Sequence, residues 1–166
     1  VDAVKNYVDG IPGEKFISYT TNAGHGQGDM KAAYNALEAF FRQTIDGMEY
    51  PKFDYKIKEG KGSATLTIKA DKHHLEEIII WEAESENKDF RKCKFVPSEQ
   101  GIAHTGKAKV VINYPKTGYK AFLVMAKYKH PNGNEPYNIT TRMFTADTDE
   151  VFEEIFEPEI KVELPM

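Results

Sequence analysis

Two runs in this chain alternate strictly between apolar and polar residues, and that period of two decides most of its architecture. Ser63 to Ala70 sets Ala64, Leu66, Ile68 and Ala70 against Ser63, Thr65, Thr67 and Lys69. Lys107 to Tyr114 repeats the pattern with Ala108, Val110, Ile112 and Tyr114 on one side. Successive side chains of an extended strand point to opposite faces, so each run offers one face to a core and one to water. Strands are expected to begin near Phe53, Ser63, Glu76, Phe90, Lys107, Tyr119 and Tyr137. Turn formers separate them at Glu59-Gly60-Lys61-Gly62, Tyr114-Pro115-Lys116-Thr117-Gly118 and Pro131-Asn132-Gly133-Asn134. About seven short strands at regular spacing predict an immunoglobulin-like or fibronectin-like sandwich over residues 53–146. Trp81 reads as a core residue of that sandwich and Tyr119 as a tyrosine corner.

Ahead of Gly47-Met48-Glu49-Tyr50-Pro51 the periodicity is helical. Asp2 can cap a short helix bearing Val4, Tyr7 and Val8, ended by Gly10. Glu14 to Thr20, rich in aromatic and β-branched residues, predicts a strand. Asp29 opens a helix with Met30, Ala33, Tyr34, Leu37, Phe40, Phe41 and Ile45 at 3.6-residue spacing, and Gly47 closes it. The order predicts that residues 1–47 are the closing strand and helix of a doubly wound α/β sheet. Some fifty residues cannot cover both faces of such a layer, so its apolar faces are expected to be exposed or covered by further polypeptide. Residues 147–166 form an acidic tail, with Val151, Phe152, Ile155 and Phe156 able to make one amphipathic helical turn.

Bulk properties narrow the function. The formal net charge of −4 and the absence of any Lys/Arg run longer than a pair give nucleic-acid binding little electrostatic support. No apolar stretch approaches the ~20 residues needed to span a bilayer. The lone Cys93 forbids an internal disulfide and reads as a small buried apolar residue.

The stretch with most chemical content is Asn22-Ala23-Gly24-His25-Gly26. Glycines beside a histidine let the chain turn sharply and leave the ring unobstructed. His25, between a strand-like run and an amphipathic helix, can serve as a general base, or can cap the turn and do no chemistry. In α/β-hydrolases the triad runs Ser, then Asp or Glu, then His, so the nucleophile and carboxylate are expected upstream of this chain. Gly26-Gln27-Gly28-Asp29 lacks the Lys-Ser/Thr ending of a phosphate loop. Asp71, His73 and His74 read as an exposed turn, since adjacent histidines on a strand would face opposite ways. His104 and His130 lie in turn-rich segments without ligand spacing. No metal or cofactor is expected. Asn138-Ile139-Thr140 fits the N-glycosylation pattern, a weak signal.

Ile11-Pro12-Gly13-Glu14-Lys15, with Phe16-Ile17-Ser18-Tyr19 and Asn22-Ala23-Gly24-His25, resembles the PhoPQ-activated pathogenicity-related protein family. The resemblance continues through Leu37-Glu38-Ala39-Phe40-Phe41. It extends more loosely through Trp81-Glu82-Ala83, Asp89-Phe90-Arg91, Pro115-Lys116-Thr117-Gly118-Tyr119 and Thr140-Thr141, to about Ala146. It implies a secreted or periplasmic α/β-hydrolase with a C-terminal β-domain, cleaving esters or peptides. Of the triad only His25 carries over, because the family's aspartate precedes the helix that starts at Asp2. The chain alone is then inactive, and its partner is the missing N-terminal hydrolase portion. The family also includes a secreted autocrine proliferation repressor of social amoebae. The competing reading is therefore a secreted signalling or adhesion protein on an inactive hydrolase scaffold, with a protein or peptide ligand.

Overall fold

The computed structural model describes residues 3–24, 26, 28, 30–98, 105–133 and 135–152. It is mostly β-sheet with one long helix. The strands are β1 (Phe53–Gly60), β2 (Ser63–Ala70), β3 (Leu75–Ser85), β4 (Val96–Pro97), β5 (Lys107–Asn113), β6 (Tyr119–Tyr128), β7 (Tyr137–Thr140) and β8 (Phe144–Ala146). One sheet has the order β1-β2-β5; the other runs β4-β3-β6-β7, with β8 also on β6. Every pairing is antiparallel.

The alternation read from the sequence fixes the register. Leu66 and Ile68 of β2 lie opposite Val110 and Ala108 of β5, and both strands turn their apolar side the same way. That side meets Ile78 and Ile80 of β3, Phe122 and Val124 of β6, and Phe144 of β8 in one apolar cluster shared by the two sheets. The arrangement is compatible with a β-sandwich. Phe122 and Phe144 stack at 5.3 Å, and Tyr55 of β1 meets Phe144 edge-on at 5.7 Å. Each large apolar side chain buried there contributes about 1.5–3 kcal/mol.

β6 is buried on both faces. Ala121, Leu123 and Met125 point away from the shared core and join a second cluster with Phe90, Phe95 and Met143. Trp81 sits opposite Leu123 and belongs to this outer cluster, not to the space between the sheets. Tyr119 is there too; it packs on Phe152 at 6.2 Å, with the Lys88 ammonium over both rings. The departure from the expected core position has a simple cause: a segment following β3 folds back and covers the outer face.

That segment also corrects the expected strand at Phe90. The Asn87 side chain accepts a hydrogen bond from Asp89 N at 2.8 Å, and Asp89 accepts one from Arg91 N at 3.0 Å. Such local bonds compete with a ladder and favour turns. Pairing is thus delayed to the two residues of β4, opposite Trp81 and Glu82. β8 was not expected. It continues β7 along β6 after a bulge, where Leu123 and Val124 face three residues, Thr141, Arg142 and Met143. The buried Thr141 hydroxyl accepts from Val124 N at 3.0 Å and so fills the ladder gap.

The helix α1 spans Lys31–Ile45. Asp29 lies outside the described residues, and Met30 holds the N-cap position with φ 59° and no side-chain cap. The other end is as expected. Gly47 takes φ +64°, and Met48 N reaches back to Gln43 O at 2.9 Å, a Schellman closure. The expected opening helix is two short 3-10 turns, Ala3–Asn6 and Val8–Gly10, and Asp2 lies outside the described residues. The expected strand from Glu14 to Thr20 is absent as a strand. Only Ile17 bridges, to Thr140. A single neighbour on one side gives this run too few ladder bonds to become a strand. The acidic tail begins with a turn in which Asp147 accepts from Asp149 N and Glu150 N, and Val151 N donates to Glu59 at 2.7 Å. Ile155 and Phe156 lie outside the described residues.

Candidate functional site

The chain leading to His25 is tied to the five-stranded sheet at Ile17, Tyr19 and Asn22. Ile17 O accepts from Thr140 N at 2.7 Å, and Tyr19 N donates to the Thr140 hydroxyl at 3.3 Å. Three residues on, Asn22 takes φ +60°, a left-handed conformation that asparagine tolerates better than most residues. Its carboxamide then bonds Phe95 twice: Nδ2 donates to Phe95 O at 2.8 Å, and Oδ1 accepts from Phe95 N at 2.7 Å. One side chain thereby imitates a strand pairing and fastens the loop to the segment before β4.

Between these two segments lies a groove of about 880 Å³. Asn22, Ala23 and Gly24 form one wall, and the buried side chains of Phe90, Leu123 and Met143 lie beneath it. The opposite wall carries Arg91, Lys92 and Lys94, all exposed, with Cys93 between them. Cys93 is half-buried and its sulfur lies 3.9 Å from Asp89 O. Asp89 grips Arg91 through two oxygens at 2.8 and 2.6 Å. The hydrogen bonds from the Arg91 side chain and backbone hold the Asp89 carboxyl well below the usual carboxylate range. No serine or carboxylate is among the described residues lining this groove. His25 itself lies outside the described residues; the wall reaches Gly24, its immediate neighbour in sequence.

A second hollow of about 410 Å³ opens beside α1, lined by Phe16, Leu37, Phe40, Tyr50 and Ile139 among others. Phe16 and Phe40 pack on Tyr50 at 5.1 and 5.5 Å. The helix meets β7 through a narrow strip, with Ala39 and Gln43 its only fully buried positions. Burial pushes the Tyr137 phenol up, and a hydrogen bond with Gln43 partly offsets it. The rest of the apolar stripe faces outward: Tyr34 is 60% exposed, Leu37 51%, Phe41 53% and Ile45 76%. Asn138 lines the same hollow with its Oδ1 buried, a poor presentation for a glycan acceptor.

The remaining polar candidates are scattered. His73 and His74 lie on a turn with rings 4.0 Å apart, not on opposite strand faces, because Asp71 accepts from His73 N and His74 adopts φ +63°. Among the described residues, no three His, Cys, Asp or Glu side chains are grouped to bind an ion. His130 is buried edge-on against Tyr137 at 6.1 Å, and His104 lies outside the described residues. No described helix is long and apolar enough to cross a membrane. The features missed in the sequence are Asn22 as a clamp and Arg91-Lys92-Cys93-Lys94 as a groove wall. The latter had a signal, three cations in four residues of an acidic chain.

No curated protein and no solved structure matches the chain. A sequence model of one family does, over residues 1–91, a span that takes in the histidine loop, α1 and the first three strands but stops short of Ala146. That span is more than half of the 166 residues, and the chain belongs to the PhoPQ-activated pathogenicity-related protein family.

Proposed function

We propose that this chain is the C-terminal portion of a secreted α/β-hydrolase-like protein in which His25 is the general base. The observation that supports the reading is the pair of hydrogen bonds between Asn22 and Phe95, which ties the chain three residues before His25 to the edge of a groove large enough for a substrate. A base needs a defined approach to the proton it removes, and an anchored residue shortly before it supports that role. The serine and carboxylate of the triad come from the upstream portion, and ester or peptide hydrolysis proceeds through an acyl-enzyme. The same portion covers the outward stripe of α1. That stripe is the helical half of a helix-on-sheet contact, which supports reading residues 1–47 as the end of an α/β layer. The β-domain is non-catalytic and fibronectin-like. The sheet orders β1-β2-β5 and β4-β3-β6-β7 support that assignment, since a seven-stranded sandwich divides its strands in the same way.

The test uses protein that carries the upstream portion. A serine-reactive fluorophosphonate should label it, and His25→Ala should abolish labelling while the circular dichroism spectrum is retained. Labelling that survives the change removes His25 from the chemistry. A folded parent that never labels favours the second reading, a secreted signalling or adhesion protein on an inactive scaffold.

A further inference from the structure

We propose that the outer face of the β1-β2-β5 sheet binds a sulfated polysaccharide, whose sulfates meet two columns of lysines and whose hydroxyls bond a column of hydroxyls between them. The assignment does not depend on His25 acting as a base. Phe53, Tyr55 and Ile57 of β1, Leu66 and Ile68 of β2, and Val110 and Ile112 of β5 turn toward the core, so the residues between them share the opposite face. The register sets that face in rows. Asp54 lies opposite Lys69, and Lys69 opposite Lys107. Lys56 is level with Thr67 and Lys109, Lys58 with Thr65 and Val111, and Gly60 with Ser63 and Asn113. The face therefore carries five lysines and one carboxylate in a chain of net charge −4. No run of cations announces it, because Lys56 and Lys58, like Lys107 and Lys109, stand two apart, the spacing that puts strand residues on one face.

The two sheets treat their lysines differently. On the five-stranded sheet, Lys120 of β6 lies between Glu82 and Glu84 of β3 at 3.6 and 3.3 Å, and Lys127 pairs with Glu77. On the three-stranded sheet all five lysines are exposed, and among the described residues their ammonium groups have no ion pair or hydrogen bond. Lys69 stands directly opposite Lys107, a like-charge pair that costs stability, and Asp54 on its other side offsets one charge. Lysines on edge strands deter pairing with other chains, a role open to those of β1 and β5. Lys69 is on the central strand, where no edge needs guarding.

The layout selects the occupant. β1 and β5 are two strand spacings apart, about 10 Å, and neighbouring lysines within a column are about 7 Å apart. Between the columns Ser63, Thr65 and Thr67 present short side chains, whose hydroxyls make no hydrogen bond among the described residues. A narrow polymer with anionic groups along both edges and hydroxyls between them matches this trough, since a threonine hydroxyl both donates and accepts. A nucleic acid strand stacks its bases on aromatic rings, and this face has none. An anionic bilayer meets the lysine tips and leaves the lower hydroxyls unused. A peptide with apolar anchors finds only Val111.

The experiment titrates the full chain into a fluorescein-labelled heparin hexasaccharide, followed by fluorescence anisotropy. Saturable binding is expected, weakening as salt rises. Lys56→Gln with Lys109→Gln, one lysine from each column, should weaken it at least tenfold. Lys15→Gln with Lys129→Gln, an equal charge change at exposed positions off this face, should leave it within twofold. Thr65→Val with Thr67→Val removes two hydroxyls and no charge, and should weaken binding about threefold or more. Absence of saturable binding, equal loss in the two lysine variants, or undiminished binding by the threonine variant would overturn the proposal. So would equal binding of poly-glutamate, a single-stranded oligonucleotide or phosphatidylserine vesicles. All four substituted lysines are exposed, and unchanged circular dichroism checks that each variant is folded.

Discussion

The sheets and the helix of this chain use their apolar residues in opposite ways. In the sheets the apolar face of every long strand is matched by another, and Leu66, Ile80, Phe122 and Phe144 are shut away from water. On α1 the stripe is as regular, but only Ala39 and Gln43 are fully buried, and the large side chains face outward. Pattern alone therefore does not tell a buried face from a waiting one. The difference lies in partners: β2 and β5 bring their own, whereas α1 has one narrow contact with β7.

The largest test of this contrast is a pair of truncations. Phe122→Ala should cost about 3–5 kcal/mol in denaturant unfolding, the range for a buried phenylalanine. Phe41→Ala on α1 should cost less than about 0.5 kcal/mol, as at a surface site. A large loss at Phe41 would mean that the stripe is already engaged, for example by a second copy. In protein carrying the upstream portion, the Phe41 penalty should rise if that portion covers the helix. Second in size is Gly118→Ala. Gly118 has φ +71°, and an added Cβ would lie 2.4 Å from Ser85 O, so a loss of about 2–3 kcal/mol is expected from strain and displaced backbone. It sharpens the comparison because Gly47, also at positive φ, has no atom within 4 Å of the corresponding position. Gly47→Ala should cost only the conformational penalty, about 1 kcal/mol.

A smaller effect is expected at the junction between the regions. Asn22→Ala removes both bonds to Phe95 and should cost about 1–2 kcal/mol, read as faster hydrogen exchange at the Phe95 amide. Unchanged exchange there would free the histidine loop from the β-domain. The smallest effect concerns Asp89. Its carboxyl is lowered when folded, so the pairing with Arg91 is fully present above the ordinary aspartate pKa and is lost only as pH falls through the depressed value. Its carboxyl carbon resonance should accordingly show ionised Asp89 at pH values where free aspartate is protonated. Because both groups are exposed, global stability should hardly follow.

Legibility in the sequence tracked how local the cause was. β1, β2 and β5 are readable because alternation acts within a few positions, β6 because turn formers bracket it, and Gly47 marks the helix end by equally local logic. Glu14 to Thr20 was not. Its composition suits a strand, but strand formation needs a neighbour along its length, and only Thr140 answers. Phe90 misled because the turn bonds of Asn87 and Asp89 outweigh the apolar character of the residues after them. The groove was partly readable: Gly24 and the loop stood out, whereas Asn22 acquires its role from Phe95, seventy-three residues away. Trp81 reads as packed, but the side on which it packs is not legible, since nothing local tells which face of a two-sided strand is covered by what.

The bulge at Thr141 works as a change of reading frame. Before it, odd-numbered residues Tyr137 and Ile139 face the shared core; after it, even-numbered Phe144 and Ala146 do. One surplus residue opposite Leu123 and Val124 is what moves the parity. Removing any one of Thr141, Arg142 or Met143 would leave two residues opposite two, a regular ladder in which Phe144 still meets Phe122 and faces inward. Closing the bulge with every residue kept would instead slip β8 by one position, with Phe144 opposite Ala121 and turned outward and Thr145 inward. The surplus residue thus keeps a whole strand from being inverted without a change in any residue type.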